Sequence, residues 1–495
     1  MTSRRAFIQQ GAAASLQAGR RRPNLVFLFS DQQSWDMLGC YGNSQIQTPR
    51  LNRFASESVR FEHCVANSPL CTPYRGVLLS GRHPLHSGAL SNDIRMLPGR
   101  GDYFGEVLRD AGYRTGYIGK WHLYGGNRVR PIPTGPHRYG FDETFLSNNC
   151  TLAYDAERAY YWNAAGERTL YGDWEPYAQA RQAMQFIDDN REKPFALFVS
   201  WHPPHNWASA QGTQGYGAPE DVTKLYDTDA IRLRANCEDV PAHRTIYQGH
   251  MAMCSSVDRA FGWIVDKLEE HGLTEDTVVV FTSDHGDTLR SHGLMFNKMR
   301  PEAESIRVPL IVRYPRSLRK RASELVVGTL DLMPTLLGLM GVPVPATADG
   351  RNLAGALTAG KDRTSDSAPL FLLPLDWRGV YTRRYTYCED VSGGSVAPFR
   401  ERYFSKPAGL KWNCLFDRKE DPAELTNRYE SPAARHVVRD LKSLTHKWMR
   451  QFGDRGVPYR DVRAKVFDPA DIVSEDAGRL TQVSGILRGR PSELL

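Results

Sequence analysis

The stretch NLVFLFSDQQ, from Asn24 to Gln33, passes from a run of apolar residues directly into polar ones. The run from Leu25 to Phe29 predicts a fully buried strand, because a central strand of a parallel sheet has apolar neighbours on both faces. Asp31 and Gln32 follow the end of this strand, and each carries an oxygen that can bind a cation. The fold prediction rests on this pattern of an apolar strand that ends in metal-binding groups.

The same pattern occurs three more times along the chain. The later strands and the polar clusters that follow them are Tyr113 to Ile118 with Lys120-Trp121-His122, Phe195 to Val199 with His202-Pro203-Pro204-His205, and Thr277 to Phe281 with Asp284-His285-Gly286-Asp287. Ligands of open α/β sheets bind beyond the carboxyl ends of the strands. We therefore expect the four clusters to form one site.

Longer segments with helical periodicity alternate with these strands, which is the rhythm of βαβ units. The predicted helices include Pro73 to Leu79, Tyr103 to Asp110, Ala178 to Asn190 and His250 to His271, and a further strand is predicted from Val308 to Tyr314. The sequence predicts an α/β fold with a large, mostly parallel central sheet sandwiched by helices. Strand-like runs and a last helix after Leu370 predict a smaller C-terminal α+β subdomain.

Composition excludes several classes of protein. The 495 residues are 41% hydrophobic and 24% charged, which suits a globular chain with at least one large core. No apolar run approaches the roughly 18 residues of a membrane span, so we expect none. The net charge of +7 comes without a basic tract, which argues against a nucleic-acid partner and suits an anionic substrate. Eight cysteines without CxxC spacing argue against a zinc module.

The two ends of the chain differ in character from its centre. Residues 3–8, SRRAFI, resemble a bacterial twin-arginine export signal, which predicts a periplasmic or secreted protein; a basic tail is the alternative. A Pro-, Gly- and Ser-rich stretch after Leu339 predicts a connection between domains. We predict a signal and basic tail at 1–22, a catalytic domain at 23–365, the small subdomain at 366–453 and an irregular tail at 454–495.

The segment SPLCTPYRGVLLSGRHP, from Ser68 to Pro84, places a thiol at the start of a predicted helix. Thr72 is a suitable cap and Pro73 a suitable first helical residue, so Cys71 lies at the amino end. The N–H groups and the dipole of that end favour an anion. Arg75, one turn later, adds a planar donor for a tetrahedral oxyanion.

Cys71-Thr72-Pro73-Tyr74-Arg75, followed by GVLLSGR, resembles the C-x-P-x-R signature of the type I sulfatases of the alkaline-phosphatase superfamily. In that family the cysteine is converted to formylglycine, whose hydrate carries two hydroxyls. The resemblance extends from Pro23 to about Phe452. It implies an enzyme that hydrolyses a sulfate ester, and a formylglycine-generating maturase as a transient partner.

The resemblance also assigns site residues. Asp31 and Gln32 resemble the family's first metal pair, Asp284 and His285 its second, and Cys71 completes the ligands. It implies one divalent ion, with Ca²⁺ favoured by the family and Mn²⁺ or another transition ion made credible by a nitrogen ligand. The predicted catalytic residues are Cys71, Arg75, Lys120, His122, His205 and Lys298.

The implied reaction divides these residues into roles. One hydroxyl of the hydrate, acidified by the metal and held by Arg75, attacks sulfur. The metal, Lys120 and the helix terminus hold the sulfonyl oxygens. His205 or Lys298 supplies a proton or positive charge to the departing alcohol, and His122 deprotonates the second hydroxyl.

Three function classes follow from the sequence. The first is a sulfatase acting on an organic sulfate ester, with a sulfated small molecule or glycan as substrate and a carbohydrate sulfate as the natural expectation. The second is a formylglycine-dependent phosphonate monoester hydrolase or phosphodiesterase. The third is an inactive protein that binds sulfated glycans. The sequence assigns neither the particular ester nor the oligomeric state.

Overall fold

The computed structural model describes residues 22–125, 128–208, 214–294, 297–393 and 411–459, together with residues 400, 404 and 461. The predicted export signal, apart from residue 22, and most of the predicted C-terminal tail lie outside these residues.

The strands are Asn24–Asp31 (β1), Val59–Val65 (β2), Arg114–Lys120 (β3), Thr144–Asn148 (β4), Tyr160–Trp162 (β5), Arg168–Leu170 (β6), Phe195–Pro204 (β7), Trp207–Ala208 (β8), Gln214–Gly215 (β9), Thr277–Ser283 (β10), Leu310–Arg313 (β11), Arg321–Gly328 (β12), Ser367–Leu372 (β13), Trp377–Thr382 (β14), Tyr385–Asp390 (β15) and Cys414–Asp417 (β16). The α-helices are Pro49–Ser56 (α1), Cys71–Ser80 (α2), Pro84–Ser87 (α3), Phe104–Asp110 (α4), Glu175–Asn190 (α5), Glu220–Thr223 (α6), Pro241–Glu270 (α7), Ala303–Ile306 (α8), Thr329–Met340 (α9), Ala354–Thr358 (α10) and Arg435–Gln451 (α11).

Ten of the described strands form the central sheet, in the order β12-β2-β11-β10-β1-β7-β3-β4-β5-β6. The pairs that join β10, β1, β7, β3 and β4 are all parallel. The strand β11 is antiparallel to both of its neighbours, and β5 and β6 are added in antiparallel fashion at one edge. The predicted mostly parallel α/β sheet is confirmed.

Helices cover both faces of this sheet because the side chains of β1 alternate between two cores. Leu25 and Phe27 belong to one cluster, which α2, α4 and α9 complete. Val26 and Leu28 belong to the other, which α1, α5 and α7 complete. The continuous apolar run of β1 therefore reflects a strand that is buried on both faces.

A second sheet of four antiparallel strands, in the order β13-β14-β15-β16, follows the central sheet in the chain. Helix α11 packs on it through Leu441, which clusters with Val380, Tyr387 and Leu415. This arrangement confirms the predicted small C-terminal α+β unit, and β13 begins at Ser367. The domain limits themselves stay predictions. Among the described helices, none is long and apolar enough to cross a bilayer.

Helix α2 differs from its prediction in one respect. It begins at Cys71, so Leu70 is the N-cap residue and Thr72 is not. The hydroxyl of Thr72 donates to the carbonyl oxygen of His122 at 2.7 Å instead of capping the helix. The backbone N–H of Thr72 donates to Asn92 Oδ1 at 2.9 Å, and Pro73 has no N–H. The helix end therefore offers fewer N–H groups to an anion than the sequence predicts.

Candidate active site

Four adjacent parallel strands bring the four predicted polar clusters to one edge of the sheet. Asp31 is the last residue of β1 and Lys120 the last of β3. His205 follows β7, and Asp284 follows β10. Because β10, β1, β7 and β3 are neighbours in this order, groups that are up to about 250 residues apart in sequence meet in space. Asp284 N–H donates to Ser30 O at 3.1 Å, which ties β10 to β1 at the site.

A buried group of four side chains has the composition of a cation site. Asp31, Cys71, Asp284 and His285 each offer one ligand atom, and these atoms all lie within 4.8 Å of one another. The ring of His285 is oriented by its Nδ1, which lies 3.0 Å from the carbonyl oxygen of Gly286. A carbonyl only accepts, so Nδ1 carries the proton and Nε2 is free to act as a ligand.

Gln32 adjoins this group. Its backbone N–H donates to Asp284 Oδ1 at 3.0 Å, and its side-chain Nε2 donates to Asp287 Oδ2 at 2.8 Å. Its Oε1 is buried and has no hydrogen-bond partner among the described residues. A buried acceptor without a partner is costly unless an ion or a water satisfies it. The predicted ligands therefore fit a divalent cation: carboxylate and amide oxygens suit Ca²⁺, and an imidazole nitrogen also suits Mn²⁺.

Burial raises the pKa of Asp31, but the nearby cations, Lys120 foremost, overcome this effect and hold the pKa well below its usual range. Burial raises the pKa of Asp284, and the negative charge of Asp31 adds to the increase. Two buried carboxylates thus share a small volume. A bound cation would relieve their repulsion.

Cys71 occupies the centre of the site. Its Sγ lies 3.2 Å from His285 Nε2, 3.3 Å from Lys298 Nζ and 3.8 Å from Asp31 Oδ1. Burial and Asp31 raise the pKa of this thiol, but Lys120, Lys298 and His285 together bring it well below its usual value. The site favours a negatively charged atom at residue 71.

Arg75, one turn into α2, is held by three fixed acceptors. Its guanidinium donates to Asp284 Oδ2 at 3.0 Å, to the carbonyl of Lys120 at 2.8 Å and to Ser200 Oγ at 2.7 Å. Lys120 itself forms an ion pair with Asp31 Oδ2. Both cations are almost completely buried, so their charges act in a medium of low effective dielectric constant.

His205 and Lys298 form a pair on another side of Cys71. Lys298 Nζ lies 3.1 Å from His205 Nε2, and His205 Nδ1 lies 2.6 Å from the carbonyl of Asn206. This arrangement makes Nδ1 the donor and Nε2 the acceptor in a neutral imidazole. Burial and the charge of Lys298 lower the pKa of His205 well below its usual value. Lys298 is therefore the cation of the pair.

His122 is held on a third side. Its Nε2 lies 3.1 Å from Asp93 Oδ1, and Arg128 binds both oxygens of the same carboxylate at 2.8 and 2.7 Å. Burial lowers the pKa of His122, but the neighbouring Cys150 and Asp93 raise it to about 10. His122 is thus an imidazolium at neutral pH. This charge is unfavourable for its predicted role as a base.

Several groups around the site were not assigned from the sequence. They are Asp93, Arg128, Cys150, Glu175, Ser200, His202 and Asp287. His202, a member of the predicted cluster His202-Pro203-Pro204-His205, pairs through Nδ1 with Glu175 Oε1 at 2.7 Å. Burial raises the pKa of Cys150, but His122, Lys120 and Arg128 bring it well below its usual value. His202 and Asp287 both lay within the predicted polar clusters and could have been singled out from the sequence.

Comparisons with known proteins show what this chain is similar to. Residues 23–342, which contain every predicted site residue, match the family model described as Sulfatase. An ulvan-active sulfatase from Formosa agariphila is 29% identical over 88% of this chain and 82% of that relative. An endo-4-O-sulfatase from Bacteroides thetaiotaomicron is 27% identical over 85% of this chain and 91% of its own length. A solved structure from work on glycosaminoglycan metabolism in the same bacterium is 25% identical, covers 91% of this chain and 100% of that chain, and has a TM-score of 0.76.

Proposed function

Since this chain belongs to the sulfatase family and is a sulfuric ester hydrolase, we propose that it removes sulfate from a carbohydrate sulfate ester and that Cys71, converted to formylglycine, is its nucleophile. The names of the relatives support the substrate class, because ulvan and glycosaminoglycans are sulfated polysaccharides. The net charge of +7 suits such an anionic substrate.

The observation that carries this proposal is the position of Cys71. It is the first residue of α2, and its Sγ lies among two carboxylates, an imidazole and a lysine. The sulfur of this precursor occupies the place of one hydroxyl oxygen of the hydrate. Asp31, Gln32, Asp284 and His285 would hold the cation beside it. When bound, the cation would acidify the attacking hydroxyl and polarise a sulfonyl oxygen.

Arg75 and Lys120 provide positive charge that is fixed before substrate arrives. Arg75 cannot rotate without losing its bonds to Asp284, the Lys120 carbonyl and Ser200. Fixed cations stabilise the charge that develops on the sulfonyl oxygens, because they need no reorganisation during the reaction. One such donor contributes about 3–4 kcal/mol, whereas an inert ester requires a total on the order of 20 kcal/mol, so several must act together.

Lys298 and His205 are suited to supply a proton to the departing alcohol. The lysine is charged and hydrogen-bonded to a neutral His205 Nε2. A proton can pass from Nζ to the leaving oxygen directly or through the imidazole. As an imidazolium beside Asp93, His122 can provide a further positive charge to the bound substrate. It can act as a base only after it has given up its proton.

The remaining assignments belong to the same proposal. The cation is Ca²⁺ by preference, with Mn²⁺ as the alternative. A maturase converts Cys71 before the protein is exported to the periplasm or secreted through the twin-arginine signal at residues 3–8. Residues 23–365 form the catalytic domain and 366–453 the smaller subdomain, followed by an irregular tail.

Sulfate release tests the proposal. Protein produced together with a formylglycine-generating enzyme is assayed against sulfated oligosaccharides and, in parallel, against phosphonate monoesters and phosphodiesters. We expect inorganic sulfate from a sulfated sugar and at least a hundredfold loss in the Cys71→Ala variant. A strong preference for phosphonate esters, or full activity of Cys71→Ala, would overturn the assignment.

A further inference from the structure

A continuous chain of hydrogen bonds joins Gln32 to the loop that carries Lys298. Gln32 Nε2 donates to Asp287 Oδ2 at 2.8 Å, and the hydroxyl of Tyr216 donates to the same oxygen at 2.6 Å. Asn297 Nδ2 then donates to the Tyr216 oxygen, also at 2.6 Å. Asn297 directly precedes Lys298. The chain therefore connects a proposed cation ligand with a proposed catalytic cation on a different loop.

The chemistry of these partners fixes the orientation of the Gln32 amide. Asp287 accepts from the Tyr216 hydroxyl through Oδ2 and from the Leu289 N–H through Oδ1, so Oδ2 faces the NH₂ group of Gln32 and not its oxygen. The second hydrogen of that NH₂ group is directed to Asn206 Oδ1 at 3.4 Å. With both donors committed, Oε1 remains as the buried atom without a partner among the described residues. An amide turned the other way would place two oxygens against each other.

Asp287 and Tyr216 are themselves fixed. Asp287 accepts from the backbone N–H of Leu289 through Oδ1 at 2.8 Å, and its own N–H donates to Ser34 Oγ at 2.9 Å. The ring of Tyr216 packs edge-on against His250 at a centroid distance of 5.5 Å. Gly249 of α7 permits this contact, since a Cβ there would lie 2.3 Å from the Tyr216 carbonyl oxygen. These contacts give the two residues one defined position.

We propose that Asp287 and Tyr216 are positioning residues that hold the Gln32 amide with its oxygen towards the cation, and that they set the affinity of the site for that ion. The inference rests on the proposed function, because it takes Gln32 as one of the cation ligands. Outer partners of metal ligands typically change metal affinity by about 10–100-fold when they are replaced.

Titration calorimetry of the full, matured chain with Ca²⁺ and with Mn²⁺ tests the inference. We expect Asp287→Asn to weaken Ca²⁺ binding by about 10–100-fold, because an asparagine can present either its oxygen or its NH₂ group to Gln32 and no longer enforces one orientation. Tyr216→Phe removes one of the bonds to Asp287 and should have a smaller effect in the same direction. Asp258→Asn is the matched control: this buried aspartate caps α1 through the N–H groups of Arg50 and Leu51 and should leave the affinity unchanged.

A double-mutant cycle with Gln32→Ala shows whether Asp287 acts through the amide. In the Gln32→Ala background, Asp287→Asn should cause no further loss of affinity. An equal loss in both backgrounds, or wild-type affinity in folded Asp287→Asn and Tyr216→Phe proteins, would overturn the inference and leave the proposed function intact. Unchanged affinity in Gln32→Ala would show that Gln32 is not a ligand and would overturn the inference as well.

Failure of the proposed function would appear separately, as an absence of sulfate release from wild-type protein. If Asp287→Asn does not fold, Tyr216→Phe provides the measurement.

Discussion

The protonation states of individual residues decide what each of them can do in this site. Lys298 is charged and His205 is neutral, although the two nitrogens lie only 3.1 Å apart. His122 is charged, because Cys150 and Asp93 outweigh the effect of burial. In the proposed reaction, Lys298 can thus supply a proton, and His122 provides a second positive charge.

A leaving-group test examines the role of the Lys298–His205 pair. In His205→Ala, we expect kcat/KM for an alkyl or sugar sulfate to fall by about 10²–10⁴. For 4-nitrophenyl sulfate, whose phenolate departs without a proton, the loss should stay below about tenfold. A purely structural role of His205 would lower both rates equally, and that result would contradict the assignment.

The pKa of His122 gives a prediction for stability. Because this pKa rises from 6.5 in the unfolded chain to about 10 in the folded protein, the contribution is complete below pH 6.5 and is lost as the pH rises towards 10. The free energy of unfolding of wild type should therefore fall more steeply than that of His122→Gln between pH 7 and pH 9. Urea titrations at the two pH values measure the difference. Parallel slopes for both proteins would contradict the raised pKa.

Sequence reasoning identified the residues that stand in contiguous motifs, because their spacing alone carries the signal. It missed Asp93 and Glu175, which orient His122 and His202 from a loop and from the start of α5. Such partners are not marked by any local pattern in the sequence. They become visible only when distant segments are brought together.

At the scale of elements, the apolar runs located the strands well because buried parallel strands are apolar on both faces. The prediction for β7 ended at Val199, whereas the strand continues to Pro204. The predicted strand at Val308 to Tyr314 is shorter, Leu310–Arg313, and antiparallel to its neighbours, which no feature of composition indicates. Among the strand-like runs predicted after Leu370, residues 378–387 fall on two strands of one hairpin, β14 and β15.

The small sheet supports the loop that carries Lys298. The indole N–H of Trp377, at the start of β14, donates to the carbonyl of Met299 at 3.1 Å. Met299 has a φ of 74°, an unfavourable conformation for a side chain other than glycine. Glu424 accepts from the N–H of Ala303, five residues after Lys298, at 2.7 Å. We infer that these contacts hold Lys298 beside residue 71.

Trp377→Phe removes the indole N–H and tests this support, and a second Trp→Phe variant controls for the lost side-chain volume. Loss of the bond to Met299 leaves a buried carbonyl unpaired, at a cost of about 1–3 kcal/mol, and we expect kcat/KM to fall about tenfold through displacement of Lys298. Trp448→Phe is the control, since the buried indole N–H of Trp448 has no partner among the described residues. Equal activity of the two variants would contradict a role of the small sheet in positioning Lys298.

At the scale of the whole molecule, we expect the proposed cation to contribute to stability, because Asp31 and Asp284 are both fully buried and their charges repel each other. We expect removal of divalent ions with a chelator to lower the melting temperature. Readdition of Ca²⁺ at about 100 times its dissociation constant should restore about 2.7 kcal/mol of stability. Asp284→Asn, which removes one of the two charges, should reduce the response to Ca²⁺. A melting temperature that is unaffected by both treatments would contradict a cation at this site.

We propose that residue 71 loses its sulfur before the enzyme acts. Mass spectrometry of the alkylated tryptic peptide FEHCVANSPLCTPYR, from Phe61 to Arg75, tests it most directly, and Cys64 in the same peptide is the internal control. In protein with sulfatase activity, we predict an alkylated Cys64 and, at residue 71, the exchange of sulfur and two hydrogens for one oxygen. Fully active protein in which both cysteines are alkylated thiols would contradict the account.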